Sequence, residues 1–191
     1  MSTYRAARSR GPAASRAKIL GAVHDLLAHG AFHASTVEDV ADRAGVSRAT
    51  VYQQFGSRLG LVDAMCETFD ANPALLALRA AVEEGAPRDA LDAFVAHAAD
   101  FWAAEETALA QLYGVAAIDS AAAALVERQR SDRRSELERL LRRLRPKNAK
   151  RTLSLLLVAT SFETYEELRR HAGLGHREVV RTLHDLARDS L

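Results

Sequence analysis

Residues 41–57 read ADRAGVSRATVYQQFGS, and this stretch decides the fold. Val37, Val40, Ala41 and Ala44 recur at i, i+3, i+4 and i+7, which makes one apolar face of a short helix. Gly45 suits a left-handed stop for that helix, and Val46 packs into the turn. Ser47 then caps a second short helix whose inward residues are Val51 and Phe55. Steps of about 100° per residue put Ala49 and Gln53 on the opposite face. Thr50 and Tyr52 flank them, and Arg48 stands in the first turn. Two short helices across a tight turn, the first facing inward and the second half exposed, make a helix-turn-helix.

Working outward, Leu20, Val23 and Leu27 mark a helix from near Ala14 to a stop at Gly30. Ser35 with Glu38 three residues later predicts a capping box. Gly56 ends the second short helix, and Ser57 opens a fourth helix carrying Leu61, Val62, Met65 and Phe69. Asn72-Pro73 and Ala86-Pro87 are further helix boundaries. The periodicity predicts helices around 74–84, 88–104, 105–117 and 120–145, then a single helix over 149–171. A last helix carries Val179, Val180, Leu183, Leu186 and Ala187. No strand pattern occurs. The expectation is an all-α protein of about nine helices. Residues 1–60 form a basic arm and a three-helix helix-turn-helix domain, and 61–191 form a larger helical body for ligand binding and dimerisation.

The composition is that of a globular chain, 48% hydrophobic and 27% charged. Cys66 is the single cysteine, so no disulfide forms within the chain. The N-terminus has no apolar signal core, and the run Leu153–Ala159 is too short to span a bilayer. The expected location is the cytoplasm. Net charge is only +1, but its distribution is uneven. Five cations, Arg5, Arg8, Arg10, Arg16 and Lys18, precede the first acid, Asp25.

The exposed face of the second helix suits the major groove of double-stranded DNA. Gln53 has the geometry for a bidentate contact to adenine, Arg48 for guanine, and the Ala49 methyl for a thymine methyl. Tyr52, Thr50 and the capped helix start suit phosphates, which set register without reading sequence. The rival reading is a solvated helix pair with incidental polar residues. Capping, glycine stops, core spacing and the basic arm agree on the first.

At these residues the chain resembles the TetR family of bacterial transcriptional regulators. The resemblance is carried by Thr36-Val37-Glu38-Asp39-Val40-Ala41, Ala44-Gly45-Val46-Ser47, Thr50-Val51-Tyr52, Phe55 and Ser57, and it spans about Ala17 to Ala64. It implies a DNA-facing set of Thr36, Ser47, Arg48, Ala49, Thr50, Tyr52, Gln53 and Arg58, with Arg8, Arg10 and Arg16 adding arm contacts. Gln54 replaces an aromatic that members often carry, and Leu59 replaces an acid. The resemblance also implies a homodimer through the last two long helices, a palindromic operator, a repressor-type switch and a small effector bound in the body. Phe69, Phe94, Phe101, Trp102 and Leu112 are the apolar candidates for that cavity. His97, Gln111 and Tyr113 are its polar anchors, which suits a mostly hydrophobic effector.

Other patterns carry less. Eleven cations lie between Arg128 and Arg151, but Glu138–Arg142 at i, i+4 and the stripe Leu137, Leu140, Leu141, Leu144 fit a solvated amphipathic helix. His24, His29 and His33 lack a completing ligand set, so no metal is expected. No catalytic constellation and no phosphate-binding glycine loop occur, and no cofactor is implied. The expected protein is a DNA-binding regulator released by a small effector. Its rivals are a protein of this fold controlled by a protein or nucleotide partner, and a helical enzyme.

Overall fold

Helix begins earlier than the periodicity predicts. In the computed structural model, α1 spans Thr3–Ala28 and carries Pro12 within it. The structure describes residues 3–70, 79–80 and 82–191, with the side chains of 3–10, 69 and 70 excepted. Expectations for Arg8, Arg10, Phe69 and the Asn72-Pro73 boundary lie outside the described residues.

The N-terminal helices continue as α2 (Val37–Ala44), α3 (Arg48–Phe55) and α4 (Arg58–Asp70). The body follows as α5 (Pro87–Ala104), α6 (Glu106–Ala116), α7 (Ser120–Leu144), α8 (Ala149–Ala159), α9 (Phe162–Glu166) and α10 (His176–Asp189). Among the described residues there is no strand, and no helix is long and apolar enough to cross a membrane.

The apolar residues sort into two cores. In the first, Ile19 and Val23 of α1 meet Val37 and Val40 of α2, Val51 of α3, and Leu61, Val62 and Met65 of α4. Thus α4 packs with the N-terminal unit. Fully burying one such side chain stabilises by about 1.5–3 kcal/mol. The second core joins Leu91, Phe94, Val95 and Trp102 of α5 to Leu137 and Leu140 of α7, Leu156 of α8, Phe162 and Tyr165 of α9, and Val179 and Leu183 of α10. Helix α6 serves both. Its Ala108 and Leu112 enter the first core, while Leu109 and Tyr113 enter the second.

The single helix expected over 149–171 is broken. Thr160 is the C-cap of α8, and Ser161 has extended backbone and caps α9 by accepting from the Thr164 amide at 3.1 Å. The Thr160 hydroxyl donates back to the Leu156 carbonyl at 2.7 Å. Such short polar side chains offer the backbone local partners that compete with the helix. Two donors hold the freed Thr160 carbonyl, Trp102 Nε1 and Arg133 Nη1, each at 3.1 Å. A π-helical turn, Glu167–His171, follows α9.

The start of α8 meets the end of α10. The Thr152 hydroxyl at the start of α8 donates to the Ser190 carbonyl just past α10 at 2.7 Å. Arg188 forks onto Asp92 of α5 at 3.1 and 2.7 Å. Along the outer side of the α8–α10 pair, Leu155, Val158 and Leu186 are exposed, Val158 to 61%.

Candidate nucleic-acid interface

The turn between α2 and α3 is built as its sequence predicts. Gly45 has φ 65° and ψ 40°, a left-handed conformation that favours glycine. The Val46 amide donates back to the Ala41 carbonyl at 3.0 Å, and Val46 packs on the first core. Ser47 caps α3 by accepting from the Thr50 amide at 3.1 Å. A cap of this kind contributes about 1 kcal/mol.

The capping box of α2 lies one residue later than expected. Thr36, not Ser35, is the N-cap, and Asp39 is its partner. The Thr36 amide and hydroxyl both donate to the Asp39 carboxylate, at 2.7 and 2.8 Å. These bonds hold the Asp39 carboxyl below its ordinary value, the backbone donor more than the hydroxyl. Ser35 instead donates to the Phe32 carbonyl at 2.8 Å, closing the preceding turn. Thr36 is exposed, but its polar groups are occupied by the cap.

On α3, Val51 is 1% exposed, whereas Ser47, Arg48, Ala49, Tyr52 and Gln53 are exposed on the outer side. Thr50 is half-buried, with its hydroxyl 2.8 Å from that of Ser47. The Arg48 guanidinium lies 5.4 Å from the Tyr52 ring centroid and 3.9 Å from the Glu38 carboxylate. Tyr52 raises the Arg48 pKa, first by hydrogen bonding and then by charge. The exposed Glu38 pair is worth little, so the ring is what orients the guanidinium. Arg48, Ala49, Tyr52 and Gln53 therefore form one exposed face beside the Ser47-capped helix start.

Two basic residues assigned to DNA point elsewhere. Arg58 donates through Nη2 to the Phe32 carbonyl, and its guanidinium lies 4.5 Å from the Phe32 ring centroid. It ties the fourth helix to the turn after α1, joining the Ser35 amide and hydroxyl on the same carbonyl. Arg16 lies 4.7 Å from the Phe55 ring centroid and 3.4 Å from Glu67. Gln54 reaches the Pro12 carbonyl at 3.5 Å.

A position that sequence reasoning missed is Gly60. A Cβ there would stand 1.9 Å from the Phe55 carbonyl oxygen. Only glycine allows α3 and α4 to approach so closely. A glycine inside an otherwise helical run was its one signal.

The residues assigned to an effector divide. Phe94 and Trp102 are buried in the body, Trp102 to 4% exposure. Trp102 lies 5.1 Å from Phe101 and 5.8 Å from Phe162, and Tyr113 lies 5.1 Å from Phe162, between ring centroids. His97 is half-buried, and burial holds its pKa below the ordinary value against the pull of Asp100. Gln111 and Leu112 do not join this group. Leu112 packs on the first core. Gln111 donates to the Leu27 carbonyl at 2.6 Å and accepts from the His33 amide at 3.3 Å. A separate polar cleft of about 390 Å³ is lined by Arg79, Glu83, Asp132, Ser135, Glu136 and Arg139.

The expected Glu138–Arg142 pair is absent among the described residues, since Glu138 takes Arg134 at 2.9 Å. His24 faces Glu105 at 3.4 Å, and His29 Nδ1 lies 2.7 Å from the Asp25 carbonyl.

A short capped helix presenting one polar face, braced by a second helix across a glycine turn, defines a helix-turn-helix protein. Residues 19–65 match the profile of the bacterial regulatory proteins, TetR family. The chain thus carries the N-terminal domain of the TetR family. It is 50% identical over 46 residues to the HTH-type transcriptional regulator AlkX of Mycobacterium tuberculosis (strain ATCC 25618 / H37Rv). That alignment spans 24% of this chain and 22% of the relative.

The fold extends further than the sequence likeness. A transcriptional regulator from Rhodococcus sp. Rha1 superposes with a TM-score of 0.70 at 20% identity, covering 92% of this chain and 95% of that one. The TetR family transcriptional regulator PfmR from Thermus thermophilus gives 0.56 at 23% identity, over 88% and 96%.

Proposed function

We propose that this protein is a homodimeric, DNA-binding transcriptional regulator, a repressor released from a palindromic operator by a small, mostly hydrophobic effector. The observation that carries the reading is the outward face of α3. Gln53 and Arg48 are exposed toward base edges, Arg48 held beside the Tyr52 ring, and Tyr52 and the helix start suit phosphates.

Two-fold pairing supplies what one short helix lacks. A single reading helix covers too little of the groove for tight binding, and a dimer sets two of them about 34–36 Å apart. The exposed Leu155, Val158 and Leu186 form the mutual surface. Leu183, by contrast, is fully buried within the protomer and belongs to its core.

An effector releases DNA only by preferring a conformation whose spacing misfits the operator. Helix α6, shared by the two cores and fastened by Gln111 to α1, joins α4 as a route for that displacement. Binding-site selection with the purified protein is the test. The expected result is an inverted repeat with half-site centres about 10 base pairs apart. Selection of a lone half-site, or of no sequence at all, would overturn the proposal.

A further inference from the structure

Ala122, Val126, Leu137 and Leu140 are buried along the inward side of α7. Helical spacing places Gln129 and Arg133 in the same stripe, three and seven residues after Val126. Both are half-buried. A cation drawn out of water is costly unless a carboxylate pairs with it. Arg133 has none among the described residues. Its hydrogen-bond partner is the Thr160 carbonyl, and its guanidinium stands 6.0 Å from the Trp102 ring centroid. The acid nearby, Glu163, is taken by Arg130 at 2.6 Å.

Three enclosed polar atoms lack partners here: Arg133 Nε, the Tyr113 hydroxyl oxygen and Gln129 Oε1. Leaving such an atom unpaired is costly. Tyr113 and Arg133 meet one aromatic group: Tyr113 lies 5.1 Å from Phe162, whose ring is 5.8 Å from that of Trp102, and Arg130 stands 5.6 Å from the Tyr113 ring centroid. At neutral pH the guanidinium is a cation with an N–H to give, and the phenol a neutral donor.

We propose that Tyr113, Gln129 and Arg133 receive the carboxylate of an effector whose remainder is apolar. The inference rests on reading the chain as an effector-responsive regulator. One carboxylate oxygen accepts from Arg133 Nε–H and the other from the Tyr113 hydroxyl. Rotating the Gln129 amide by half a turn exchanges its oxygen for NH2 and adds a third donor. One unpaired cation matches one negative charge, which favours a monocarboxylate over a phosphate or a dicarboxylate. The rings of Phe101, Trp102 and Phe162 supply the apolar surroundings. Because the three polar atoms are enclosed, entry parts α7 from its neighbours, and one of these is α6.

Trp102 is the only tryptophan, so intrinsic fluorescence reports on this site directly. Decanoate, 4-phenylbutanoate and 1-decanol, each below its aggregation concentration, are titrated into the full chain. Decanoate or 4-phenylbutanoate is expected to shift the emission at micromolar concentration, with 1-decanol at least tenfold weaker. Arg133→Gln should weaken the carboxylate at least tenfold and leave 1-decanol unchanged. Tyr113→Phe, which removes one oxygen, should weaken it several-fold, with circular dichroism showing both variants folded.

Equal binding of decanoate and 1-decanol, undiminished carboxylate affinity in both variants, or no carboxylate binding below about 1 millimolar would each overturn the proposal. If a carboxylate binds through Arg133 yet leaves the protein on its selected DNA, the carboxylate site stands and effector-controlled release fails. If only a neutral ligand releases DNA, the regulator stands and the carboxylate site fails.

Discussion

The side-chain amide of Gln111 in α6 is hydrogen-bonded to the carbonyl of Leu27 in α1 at 2.6 Å. The same side chain accepts from the His33 amide, so one residue of the body fastens both α1 and the turn that follows it. Gln111→Leu removes both bonds and should cost about 1–3 kcal/mol. Hydrogen exchange should show faster opening of the His33 amide, with protection in α8 and α10 unchanged. Equal protection at His33 in both proteins would show that this contact fastens nothing.

Base reading and phosphate contact are separable on α3. Gln53→Ala should lose about 1–3 kcal/mol of discrimination at one base step. Arg48→Ala should relax preference at one guanine, whereas Tyr52→Phe should weaken every sequence alike. Arg58→Ala should do neither. It should lower the melting temperature, since its guanidinium serves the Phe32 carbonyl. Competition binding against salt, with thermal melts alongside, distinguishes these outcomes.

The cap of α2 has a pH signature. Thr36 donates to the Asp39 carboxylate and lowers its pKa in the folded state from 3.8. A depressed carboxylate contributes stability that is full above the unfolded value and fades as pH falls through the lower folded one. Thr36→Ala should therefore cost about 1 kcal/mol near neutral pH, and part of that penalty should vanish as pH falls below 3.8. Urea melts under the two conditions measure it. A penalty that grows on acidification would contradict the sign.

The outer face of α8 and α10 and their inner face respond differently. Val158→Glu with Leu186→Glu should yield folded monomers, because both side chains already stand in solvent in the protomer. Leu183→Glu should unfold or precipitate the protein, since that side chain is fully buried. Light scattering and circular dichroism separate the two results.

Most of the N-terminal unit was legible because its signals are local. Gly45, Ser47 and the spacing of Val51 and Phe55 each constrain only their own neighbourhood. The capping box slipped by one residue because Ser35 and Thr36 are both good caps, and the Phe32 carbonyl decided which hydroxyl was free. The partners of Arg58 and Gln111 are hidden from the sequence for another reason. Those partners, Phe32 and Leu27, lie 26 and 84 residues away, and periodicity within one helix says nothing of what a polar tip meets across the fold. The break at Thr160 was hidden because a continuous apolar run looks alike whether its ladder is intact or interrupted.

The double allegiance of α6 bears on how such a protein can change over generations. Ala108 and Leu112 answer to the N-terminal unit, and Leu109 and Tyr113 to the body. Substitutions on the second pair can repack the body while the first pair preserves the seat of the N-terminal unit. Two cores thus meet on opposite sides of one eleven-residue helix, and a lineage can alter one without disturbing the other.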